Sequence, residues 1–89
     1  MNSLLSEHQR AQYEFALDLL TDMIGLLSSR IHREQTSSQP DLTQIKNWED
    51  ERTFFSKKRY ELDSSNLSEI NEIIEKYSAI LKNNYSGKV

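Results

Sequence analysis

Between residues 13 and 31 the apolar side chains fall at intervals of 4, 3, 4, 3 and 4: Tyr13, Leu17, Leu20, Ile24, Leu27 and Ile31. Residues three and four apart share one face of a helix, so this is the seam of a helix that packs along another. Phe15, Leu19 and Leu26 form a second apolar row. At about 100° per residue, that row lies roughly 130° around the helix from the seam. Nothing in the chain competes with helix. There is no alternating apolar–polar run, and the one valine is Val89. The fold class is all-α.

Two polar segments mark the breaks, the first firmer than the second, which separates the second and third helices or kinks one rod. Gln35-Thr36-Ser37-Ser38-Gln39-Pro40 is polar and ends in the only proline, which turns the residue before it away from helical geometry. Asp63-Ser64-Ser65-Asn66 offers short polar side chains, and Ser64 or Ser65 is the expected cap of a following helix. The sequence therefore predicts one small domain over 1–89, with helices at 6–34, 41–62 and 66–82 and a frayed tail at 83–89. The architecture is a helical hairpin or three-helix bundle with a long first helix, about 40 Å at 1.5 Å per residue.

A surface helix needs one apolar stripe, and the first helix has two. The expectation is that a second copy covers the extra row, with Phe15, Leu19 and Leu26 as a helix–helix dimer interface. A three-helix bundle whose wide core absorbs both rows is the alternative. Glu7, Glu14, Asp18 and Asp22 line a third face of the same helix, joined by Gly25. Like charges four apart oppose each other, so this acidic stripe is expected to meet a basic partner or solvent.

The second helix carries Leu42, Ile45, Trp48, Phe55 and Leu62 on one side, with Arg52 and Arg59 inside the same sector. Those guanidinium groups either rise to water on apolar stems or meet the acidic stripe. Phe54 points away from the seam and joins the candidate interface residues. Glu49-Asp50-Glu51 opens the charged stretch and Lys57-Lys58-Arg59 closes it, an order that suits the helix dipole. The third helix is amphipathic along Leu67, Ile70, Ile74, Tyr77 and Leu81, with a Glu72–Lys76 pair expected on its surface.

Composition narrows function more than it names it. The 89 residues carry a formal charge of −3 and no cysteine, which excludes disulfides and thiolate metal sites. No segment is basic, so nucleic-acid binding through Lys57, Lys58 and Arg59 is the weakest of the alternatives. His8 and His32 stand 24 residues apart with no ligand-spaced partner, and two glycines cannot build a phosphate loop. No catalytic, metal or cofactor site is expected, and no small-molecule substrate. The N-terminal residues have no basic and apolar leader pattern, and no apolar run is long enough to span a bilayer, so the expected location is cytoplasmic.

The bacteriocin-immunity bundles are similar to this chain in length and acidity only. The sequence thus points to a non-catalytic protein–protein interaction module, a dimeric helical regulator or adaptor. An acidic inhibitor or antitoxin-like protein that masks a basic site is the second expectation.

Overall fold

The computed structural model describes residues 6–86. They form α1 (Glu7–Gln35), α2 (Leu42–Glu61) and α3 (Leu67–Ser86), with no strand among the described residues. The N-terminal leader reading, on residues 1–5, and the last three residues of the tail lie outside this range.

Local chemistry sets each helix end. Ser6 Oγ accepts the Gln9 amide at 3.1 Å while Gln9 Oε1 accepts the Ser6 amide at 3.1 Å, a reciprocal capping box that starts α1. After α1, the Thr36 hydroxyl turns back onto the His32 carbonyl at 3.0 Å. Glu34 then accepts the Asp41 amide at 2.9 Å, and Asp41 in turn caps α2 by accepting the Gln44 amide at 3.0 Å.

The cap of α3 differs from the one expected. Asn66 Oδ1 accepts the Glu69 amide at 3.1 Å, whereas the Ser65 amide and hydroxyl both donate to Asp63 at 2.8 Å. Ser65 is spent on the turn, and the next polar residue takes over the helix. The Asp63 carboxyl titrates below its ordinary range because those two Ser65 donors favour the charged form. At its other end α3 runs on through Asn83 and Asn84 to Ser86, past the expected boundary. Asn84 is held from two directions: its Nδ2 donates to the Ile80 carbonyl at 3.0 Å, and Arg30 donates to its Oδ1 at 2.7 Å. A tertiary bond keeps the last turn wound.

Cross-helix hydrogen bonds fix the topology. Arg52 reaches Ser28 at 3.1 Å and Arg59 reaches Thr21 at 2.8 Å, so α2 runs antiparallel to α1. Lys58 meets Glu69 where α2 hands over to α3, and Arg30 meets Asn84 at the far end. Helix α3 therefore runs parallel to α1. Both pack on α1, and no Cα of α2 comes within 8 Å of one in α3. The molecule measures 58 × 29 × 16 Å.

The core explains why α1 has two apolar rows. Ala16 and Met23, both buried, sit between the seam and the second row and merge them into one broad face. Leu19, Leu20 and Leu27 complete that face, against Phe55 and Leu62 on one side and Ile70, Ile73, Tyr77 and Leu81 on the other. Leu42, expected on the buried side of α2, is instead 75% exposed, because it is the first residue of the helix and projects beyond the packed region.

Candidate functional site

The residues expected to form a self-association row on α1 divide sharply. Leu19 is buried in the chain's own core, which corrects its assignment to an interface. Leu26 is half-buried and packs on that core. The physical reason is α3. Arg30, one turn beyond Leu26, bonds Asn84 of α3, so the third helix lies along this side of α1 and supplies the cover that a second copy was expected to give. Phe15 keeps 46% of its surface exposed.

Arg52 and Arg59 do face α1, but their acceptors are hydroxyls. Arg52 donates to Ser28 Oγ and Arg59 Nε to Thr21 Oγ1. The expected meeting with Glu14, Asp18 or Asp22 is not made: among the described residues no cation lies within 4 Å of those carboxylates. The two arginines are seven residues apart, and so are Ser28 and Thr21. In an antiparallel pair, equal spacings let both bonds form together, a signal available in the sequence but overlooked there. The acidic stripe itself stays exposed on the outer face of α1. Gly25 continues that face, and a Cβ built there would meet nothing within 4 Å.

A second surface feature belongs to α2 and α3. Phe54 is 52% exposed yet held in place. Its ring stands edge-on to Phe55 at 5.3 Å, Phe55 stands edge-on to Tyr77 at 5.1 Å, and the Lys58 ammonium sits 5.6 Å above the Phe54 ring. Lys58 also pairs with Glu69 at 2.6 Å. The hydrogen bond that Lys58 donates to that carboxylate raises the Lys58 pKa, against a smaller opposing effect of partial burial. A surface cleft of about 380 Å³ opens here, lined by Phe54, Lys57, Lys58, Glu61 and Glu69. The expected Glu72–Lys76 pair is replaced: Lys76 lies 5.4 Å over the Tyr77 ring.

No protein-family model, curated protein or solved structure matches the chain.

Its surfaces must therefore speak from their own chemistry. Among the described residues no group of three His, Asp or Glu side chains could hold a metal ion. No described helix is long and apolar enough to cross a membrane. What the described surface does offer is two contrasting faces: an acidic one on α1, and one on α2 where a fixed aromatic ring is bordered by charges of both signs.

Proposed function

We propose that this chain is a non-catalytic protein-binding module that works as a homodimeric helical adaptor or regulator. The observation that carries the reading is Phe54, a large aromatic ring half in solvent and locked by Phe55 and Lys58. Rigid aromatic side chains that lose little entropy on burial are the usual anchors of protein interfaces. Tagged protein purified from its native host, with and without nuclease, tests the reading. A stoichiometric, nuclease-resistant protein partner that is lost on Phe54→Ala supports it. A Phe54→Ala variant that retains every partner and the same mass in solution refutes it.

A second reading has its own support. The carboxylates of Glu14, Asp18 and Asp22 are exposed and unpaired among the described residues, beside the open surface at Gly25. Such a face suits an inhibitor that covers a basic site on another protein. That complex would be salt-sensitive, and Asp18→Lys or Asp22→Lys would weaken it severalfold. Binding indifferent to both reversals rules it out.

A further inference from the structure

The charges of α2 are arranged in mirror order about Phe54. Glu51 stands three residues before it and Lys57 three after, and Asp50 and Lys58 stand four away on the same side of the helix. Each of these acids before the ring has bases three and four residues behind it. Two copies of a helix that pack antiparallel about a two-fold axis at one residue place the residues three and four before it beside those four and three after it on the facing copy, so Glu51 meets Lys58 of the second copy and Asp50 meets Lys57. We propose that α2 is the dimer interface, packed antiparallel on α2 of a second copy with the two Phe54 rings at the axis. This rests on the homodimeric reading above and assigns it a surface.

The structure leaves the required residues free. Asp50, Glu51, Phe54, Lys57 and Glu61 are exposed on α2. Glu51 and Lys57 have no ion-pair partner within 4 Å among the described residues, so each can meet its counterpart without breaking a bond. Asp50 and Lys58 already contact Lys46 and Glu69, and they add a shared contact. The cleft beside Phe54 receives the facing ring.

Charge also decides the orientation and the occupant. Parallel packing would set acid against acid and base against base, which is repulsive at every step. An unrelated partner gains from this face only if it reproduces the same reversed order, whereas a second copy does so by symmetry. The outer face of α1 cannot serve instead, since self-packing there would juxtapose two rows of carboxylates.

Sedimentation equilibrium of the full chain tests the interface, with helicity and melting followed for each variant. Glu51→Lys and Lys57→Glu each break two symmetry-related contacts and are expected to raise the dimer dissociation constant about tenfold. The double variant D50K/K57E exchanges one facing pair and should return to within a few fold of the parent. Because the chain has no cysteine, F54C adds a second readout. A residue on the axis faces its own copy, so mild oxidation should give a covalent dimer from F54C and none from F15C.

A parent chain that is monomeric at high concentration overturns both the interface and the homodimeric reading. A dimer that ignores the charge reversals, or cross-links at F15C and not at F54C, overturns the interface and leaves the homodimer standing.

Discussion

A guanidinium group laid across a helix seam adds packing through its stem and demands acceptors for its head. Arg52 and Arg59 meet both demands with Ser28 and Thr21. Arg52→Met keeps most of the stem and should cost less stability than Arg52→Ala, by about 1 kcal/mol in urea unfolding. The Lys58–Glu69 pair is different, because both partners are charged and about 30% exposed. Breaking it with Lys58→Met should cost about 0.5–1 kcal/mol at neutral pH. Its pH signature follows from the direction of the shift. Lys58 has a raised pKa in the folded chain, so its contribution is complete below its ordinary value of 10.5 and fades as pH rises through the folded value. The parent should therefore lose stability more steeply than Lys58→Met between pH 10.5 and the folded value, in urea unfolding across a pH series. At the start of α3, Asn66→Ala removes the acceptor of the Glu69 amide and should cost about 1 kcal/mol.

The three helices are not held equally. Helix α1 contributes six buried residues and lies against both others, whereas α2 buries Ile45 and Phe55 along its length and rests two arginines on its neighbour. Buried apolar contact is what sets the free energy of local opening. Amide exchange should accordingly be fastest in α2 and slowest in the middle of α1, around the fully buried Leu20. Uniform protection across the three helices would show that the bundle opens only as a unit.

The period of α1 and the proline break were legible in the sequence because both are local. Each depends on spacing within one helix or on the geometry of one residue. The fate of the second apolar row was not local. Whether Leu19 faces a second copy or α3 depends on Ala16 and Met23, a small and a flexible side chain that join the rows. Whether Asn84 is helical depends on an arginine 54 residues away. The acidic stripe was legible as an exposed face, yet the acceptors of the two arginines were not. That required pairing the spacing of Ser28 and Thr21 with the spacing of Arg52 and Arg59 across the turn.

At the scale of the whole molecule, elongation separates its surfaces. The radius of gyration is 15.7 Å, against about 12 Å for a compact chain of this length. Packing α2 on α2 of a second copy would occupy one long side and leave the acidic side of α1 facing solvent. The two faces should then behave as independent sites, since substitutions that share no partner are additive. Asp18→Lys with Asp22→Lys should leave the dimer dissociation constant within a few fold of the parent while weakening capture of a basic partner. Lys57→Glu should do the reverse, dissociating the dimer while each monomer still presents its acidic stripe. Combining the changes should give the sum of the two effects, read by sedimentation for the dimer and by titration calorimetry for the partner. A combined loss well beyond that sum would mean that the partner spans both copies. The acidic stripes of the dimer would then act as one bivalent site, and dimerisation would itself set the affinity.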